Sequence, residues 1–201
     1  HGRCSGLFLP YTVEYTVRGN NSRYGDIAYA LHLPADDEMT AATAVAEDRP
    51  CAIRYGRRVY RPHNYKNVYH GPVTMKTALV HSLNAATVLF AQRAGFERIA
   101  GLVNRLGFER RAVPYPSTAL GTVDVSPLEV AAAYTAFYHQ GRRLPARWSP
   151  GGGLLLQPPL FGAEASFLTL DMMRDAVNAG TGINVRREGI DLPMAGKTGT
   201  A

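Results

Sequence analysis

Lysine is scarce in this chain, with Lys66, Lys76 and Lys197 the only three in 201 residues. Basic charge falls instead to arginines, scattered in pairs at Arg57-Arg58, Arg110-Arg111, Arg142-Arg143 and Arg186-Arg187 and never in a dense run. The formal net charge of +6 invites a nucleic-acid reading. No zinc spacing or other nucleic-acid motif accompanies it, so no nucleic-acid partner is expected. A basic surface equally suits a protein working beside anionic polymers and lipid. Cysteine is limited to Cys4 and Cys51, whose separation matches no metal-ligand pattern. The sequence leaves open whether the two pair. No apolar run approaches the roughly 18 residues of a membrane span. His1 is not followed by the charged flank and apolar stretch of a signal peptide, so any export segment is expected upstream. Neither a metal nor an organic cofactor is implied.

What is there is globular: 46% of residues are hydrophobic and 19% charged, a balance able to bury a core of ordinary size. Alternation over 11–17 predicts a strand, and 26–31 one or two helical turns. From Pro34 to Pro62 the chain reads as loop, polar and interrupted by proline. After Gly71-Pro72 helical signals take over. Helices are expected over 73–81 and over 85–94, the second ending at Gly95 as a left-handed cap. Phe96, Ile99, Val103 and Leu106 form one face of a third helix that stops at Gly107. Ser126-Pro127-Leu128-Glu129 is the strongest helix start, with a capping serine, a first-turn proline and a glutamate closing the capping box. A last helix is expected over 164–178. Residues 142–161 read as irregular, and 193–201 as a turn into a strand.

Two short motifs carry chemistry. Lys197-Thr198-Gly199-Thr200 offers an ammonium, two hydroxyls and backbone N–H groups, all suited to an anionic, peptide-like ligand. Gly199 permits close backbone approach, and N–H donors preorganised at such an edge stabilise an oxyanion in acyl transfer. The plain alternative is a glycine-rich turn entering a strand. Ser82-Leu83-Asn84 lies between two predicted helices. Its hydroxyl could relay a proton and its carboxamide bind a substrate carbonyl. The plain alternative is that Ser82 or Asn84 merely caps the next helix.

Order and context raise both motifs above chance. Tyr60-Arg-Pro-His-Asn64-Tyr65, then Tyr69-His-Gly71-Pro-Val-Thr-Met-Lys-Thr-Ala-Leu79, then Ser82-Leu-Asn-Ala-Ala-Thr87 resembles the transpeptidase domain of class A penicillin-binding proteins. So do Pro116-Ser117-Thr-Ala-Leu-Gly121, Val125-Ser-Pro-Leu-Glu129, and Gly180-Thr-Gly182 ahead of Ala195-Gly196-Lys-Thr-Gly-Thr200. The segments run in the family's order across about residues 28–201. The resemblance implies an α+β penicillin-binding transpeptidase/β-lactamase-like fold. A helical lobe over about 71–180 would carry Ser82-Leu-Asn84. The sheet would take in the C-terminal strand and 11–17. It implies an acyltransferase of the bacterial envelope, working outside the cytoplasm and joined to the membrane by an upstream anchor. In such enzymes a serine attacks the D-Ala-D-Ala bond of a peptidoglycan stem peptide, releases D-alanine and passes the acyl group to a neighbouring amine. β-Lactams acylate the same serine. By that analogy Ser82 belongs to the proton relay and Asn84 holds the substrate amide. Lys197 sets the electrostatics, Thr198 and Thr200 bind the substrate carboxylate, and the Thr200 N–H joins the oxyanion hole beside Gly199.

The family's nucleophile motif, Ser-x-x-Lys, is missing. The residues three places before the lysines are His63, Val73 and Met194. Counting back from Ile27-Ala-Tyr-Ala-Leu31 puts Asn20 where the serine belongs and Arg23 where the lysine belongs. A guanidinium stays charged and cannot act as the neutral base. Ser22 lies nearby as a candidate nucleophile, but Gly25 stands at its lysine position. The expected organisation is therefore a poorly matching segment over 1–27 and a partial transpeptidase domain over 28–201. The parent would continue past Ala201 and carry a glycosyltransferase domain upstream. The alternative is a catalytically silent relative that keeps the cleft to bind stem peptides or partner proteins. A β-lactamase-like hydrolase fits the context around Tyr65 and Val125 less well.

Overall fold

The computed structural model describes residues 45–146 and 157–199. The expected elements at 11–17 and 26–31 lie outside the described residues, as do Cys4, Ser22 and Thr200.

Three short strands form where the sequence reads as loop: β1 (Val45–Asp48), β2 (Ile53–Tyr55) and β3 (Arg58–Tyr60). β2 and β3 make an antiparallel hairpin with Ile53 opposite Tyr60 and Tyr55 opposite Arg58. Gly56 turns the chain between them at φ 55°. The basic pairs disguise this hairpin, because Arg54 and Arg58 occupy its exposed positions while Ile53 points into the core. β1 pairs antiparallel with β4 (Gly71–Thr74), setting Val45 opposite Thr74 and Asp48 opposite Gly71.

That ladder corrects the helix expected from 73. Val73 and Thr74 are β-branched and pack well in a ladder, so the helix begins two residues later. This helix, α1, spans Met75–Val80, and the Thr74 hydroxyl caps it by accepting the Thr77 N–H at 3.2 Å. α2 (Asn84–Ala94) and α3 (Phe96–Arg105) follow as predicted. Gly95 between them has φ 95° and ψ 119°, a positive φ but not the left-handed helical cap expected. α4 (Pro127–Tyr138) opens with the full capping box. The Glu129 N–H donates to Ser126 Oγ at 3.3 Å, and the Ser126 N–H to Glu129 Oε2 at 2.7 Å. α5 spans Ala163–Asn178, and the four-residue α6 spans Asn184–Arg187, which no sequence signal had suggested. Residues 193–199 form no strand, contrary to expectation. A strand exists only where a neighbour completes its hydrogen bonds, and here the Gly196 N–H instead meets the Met173 carbonyl of α5 at 3.2 Å.

The helices α1, α2, α4 and α5 close on one core containing Met75, Leu79, Leu83, Phe90, Phe137 and Met173. Alanines face inward on α2 (Ala85, Ala86) and α4 (Ala133, Ala136), and small side chains shorten the distance between helix axes. A second cluster of Ala91, Ile99, Val103 and Ala119 fastens α2 and α3 to the 3₁₀ turn Pro116–Leu120. The α+β class and the helical lobe stand as expected. The β part of the described residues is two small ladders rather than a sheet through the C-terminal motif.

One polar knot joins the ladders to the helices. Asp48, 0% exposed, receives the Asn64 amide at 2.8 and 2.9 Å, the His70 N–H at 3.0 Å and the His70 ring at 3.0 Å. The Asn64 carbonyl oxygen in turn accepts the Ala85 N–H at 3.0 Å, in the first turn of α2. A carboxylate sealed from water is tolerable only when hydrogen-bonded this fully. Asn64→Ala strips two of its contacts and leaves an α2 donor unmet. Its unfolding free energy, read from urea denaturation, should fall by about 3 kcal/mol.

Candidate active site

The turn after α1 decides where Ser82 points. The Leu83 N–H bonds back to Ala78 O at 2.8 Å and the Ser82 N–H to Leu79 O at 3.1 Å. This is the paired closure of a Schellman turn, with Ser82 in the left-handed position that glycine usually fills. Ser82 has φ 55° there. An L-residue so placed costs about 1–2 kcal/mol, and such strain collects where a side chain is needed for function. Leu83 sits deep in the core and pins the turn from below. The plain capping alternative is excluded for both polar residues of the motif. Leu83 is the N-cap of α2, no side chain caps it, and Asn84 is already the first helical residue. The Asn84 amide instead donates to the His63 carbonyl at 2.7 Å, tying α2 to the loop that carries Asn64.

Lys197 arrives on the segment that follows α5. Gly180 passes so close to α1 that a Cβ on it would stand 2.3 Å from Val80 O. The next N–H, of Thr181, bonds that same Val80 carbonyl at 3.1 Å. Past α6, Arg186 staples the return, donating to Asn178 Oδ1 at 2.9 Å, Ile190 O at 2.6 Å and Leu192 O at 2.8 Å. Gly196 is then fixed to α5 through Met173 O, as described above. Lys197 Nζ consequently reaches Ser82 Oγ at 2.8 Å, across 115 positions of sequence, and also donates to Thr198 O at 3.0 Å. Thr198 Oγ1 lies 3.5 Å from the same ammonium and 2.6 Å from Thr181 Oγ1.

Burial alone pushes the Lys197 ammonium down to about 8 from 10.5, because the cleft disfavours its charged form. The consequence for Ser82 is directional. A hydroxyl that accepts from an ammonium keeps its single proton free to donate elsewhere, so Ser82 can hand a proton to a group entering the cleft. The cluster therefore combines a half-buried cation, a half-buried serine hydroxyl with a proton to donate, and the hydroxyl of the exposed Thr198. Among the described residues, no group of three or more His, Cys, Asp or Glu side chains comes together to hold a metal.

Of the residues singled out in the sequence, the structure brings Ser82, Lys197 and Thr198 together. It sets Asn84 one helical position beyond, held by His63, and leaves Gly199 exposed beside Thr198. Thr200 and Ser22 lie outside the described residues. Sequence reasoning missed the supports. Asn64 and Thr181 fall within segments that carry the family resemblance but not its chemistry, and Asp48 falls in a stretch that reads as loop. Their signal was weak, since only the partner that each meets gives the side chain a purpose.

With this geometry in view, comparison with known proteins is decisive. The family profile described as the penicillin binding protein transpeptidase domain matches residues 35–201. The chain belongs to that family. It is similar to penicillin-binding protein 1B of Vibrio cholerae, 29% identical over 184 residues that cover 86% of this chain and 24% of that protein. Among solved structures it superposes on penicillin-binding protein 1A from Haemophilus influenzae with a TM-score of 0.74 at 19% identity, covering 100% of this chain and 34% of that one. The D,D-transpeptidase domain of a peptidoglycan glycosyltransferase from Eggerthella lenta gives a TM-score of 0.67 at 17% identity, over 98% of this chain and 52% of that one. These structural likenesses establish the penicillin-binding transpeptidase fold. The chain spans about a quarter of the Vibrio relative's length.

Two outcomes follow from the site. Ser82→Gly places the favoured residue at φ 55° and should stabilise the fold by about 1 kcal/mol in urea denaturation. Lys197 gives stability a pH slope of fixed sign. Between about 8 and 10.5 the unfolded chain keeps a proton that the folded chain has released, so stability rises with pH across that window and is lost as pH falls through 8. Lys197→Met should remove that part of the rise, measured as urea midpoints at the two ends of the window.

Proposed function

We propose that this domain serves a serine-type D-Ala-D-Ala transpeptidase that cross-links peptidoglycan stem peptides and is acylated by β-lactams. The observation that carries the reading is the 2.8 Å contact between Lys197 Nζ and Ser82 Oγ, with the Thr198 hydroxyl beside it. Two motifs distant in sequence meet where acyl transfer needs a proton donor and an anion site.

The chemistry assigns the parts. An upstream serine attacks the carbonyl of the terminal D-Ala-D-Ala bond, and Ser22 is the candidate this sequence offers. The Ser82 hydroxyl, accepting from Lys197, relays the proton that the attacking serine gives up to the departing D-alanine nitrogen as the C–N bond breaks. The same relay run in reverse takes a proton from the incoming amine of a neighbouring stem peptide and returns it to the serine oxygen as the acyl-serine bond breaks. The Asn84 amide holds the peptide's own amide on the α2 side. Thr198 and Thr200 receive the terminal carboxylate, drawn in by the Lys197 ammonium, and N–H groups at Gly199 and Thr200 stabilise the oxyanion. The work belongs outside the cytoplasm, where peptidoglycan lies, with the membrane reached through an anchor elsewhere in the parent protein.

A second reading has its own support in the sequence. Asn20-Asn21-Ser22-Arg23 occupies the place of Ser-x-x-Lys, which favours a silent domain that binds stem peptides without cleaving them. Fluorescent penicillin applied to the full-length protein decides between the two. The transpeptidase reading expects a covalent band that disappears when one serine upstream of Ala28 is substituted, and that forms roughly 100-fold more slowly in Ser82→Ala. No band at saturating penicillin leaves the silent reading.

A further inference from the structure

The Gly180-Thr181-Gly182 segment touches both halves of the cluster and has no part in the chemistry above. Its backbone is locked. Gly180 leaves no room for a Cβ against Val80, the Thr181 N–H bonds Val80 O at 3.1 Å, and the Gly182 N–H bonds Ala176 O at 2.8 Å. Val80 closes α1 two residues before Ser82, so Thr181 is held in register with the serine turn. Its side chain then crosses to the other motif, where Thr181 Oγ1 stands 2.6 Å from Thr198 Oγ1.

Either hydroxyl could donate in this contact, and an anion bound at Thr198 would settle which does. Each hydroxyl has one proton to donate and two lone pairs to accept with. Thr198 Oγ1 already faces the Lys197 ammonium at 3.5 Å, and an ammonium can only donate. If Thr181 also donates, both lone pairs of Thr198 are occupied from behind. The Thr198 hydroxyl, on an exposed residue, then points its proton outward, where an anion can take the place of water. A carboxylate accepts and never donates, so it selects this arrangement, whereas a ligand amide offers no such charge-assisted gain.

We infer that Thr181 is a positioning residue for carboxylate recognition: its hydroxyl orients the Thr198 hydroxyl toward the terminal carboxylate of the bound peptide. The inference rests on the proposed function for the identity of that peptide. Thr181 acts through Thr198 and need not touch the ligand.

The test uses the full-length protein and a peptide ending in D-Ala-D-Ala, prepared once as the free acid and once as the C-terminal amide. Equilibrium binding of both is measured on the parent, Thr181→Val and Thr181→Ser. Valine preserves shape and the backbone anchors but removes the hydroxyl, and serine restores it. The parent should bind the acid more tightly than the amide. In Thr181→Val the acid should weaken roughly tenfold while the amide stays unchanged, and Thr181→Ser should return the preference for the acid. Equal weakening of both peptides in Thr181→Val, a preference that survives the loss of the hydroxyl, or no preference in the parent would each overturn the inference. Should the valine variant fold poorly, Thr181→Ala is read by the same ratio.

Penicillin labelling of the same samples separates this result from the parent reading. A Thr181-dependent preference for the acid without covalent labelling sinks the transpeptidase and keeps the inference. Labelling with a preference indifferent to Thr181 does the reverse.

Discussion

The architecture around the cleft hangs on a carboxylate that water cannot reach. Asp48 ends a strand whose partner, β4, runs directly into α1, and its oxygens are filled by Asn64 and His70. Asn64 cannot satisfy Asp48 without also fixing the loop at 62–69, and its carbonyl fixes the first turn of α2. A buried charge tolerates little slack, because each lost hydrogen bond exposes it to the cost of desolvation. The geometry of Asn84 is inherited from that intolerance. Its amide meets the carbonyl of His63, the residue next to Asn64.

The other half of the cleft is held by a different constraint, close packing of backbone on backbone. Gly180 touches the end of α1, α5 carries Gly196, and Arg186 gathers the carbonyls between. Lys197 is thus delivered to Ser82 by structure on both sides rather than by attraction between the two. This matters because an ammonium is costly to bury. The fold pays that cost at Lys197, whose ammonium burial lowers to about 8 and which donates to Ser82. A strained serine at a glycine position adds to the impression of stability given up at one cluster.

Much of this was legible in the chain, and the failures are instructive. The capping box at Ser126 and Glu129, the helical face of Phe96, Ile99 and Val103, and α5 are local patterns that survive folding because nothing competes with them. The helix misplaced at 73 and the strands missed at 45–60 depend on a partner chain segment. Val73 joins a ladder because Ala46 lies opposite, and Ile53-Arg-Tyr55 becomes a strand because Arg58-Val-Tyr60 returns beside it. The turn into a strand expected over 193–201 was read from residue type, and in its described part, 193–199, the Gly196 N–H is held against a helix instead.

The sequence by itself determined the family likeness, the order of the motifs and the residue types available to them. It showed equally that Ser-x-x-Lys is missing, since a motif is a property of neighbours along the chain. Only the tertiary structure decided that Lys197 donates to Ser82, that Asn84 is anchored rather than capping, and that Thr181 stands against Thr198. Those facts are distances between residues 17 to 115 positions apart. Such distances are set by how helices and backbones pack in three dimensions, which no local pattern encodes.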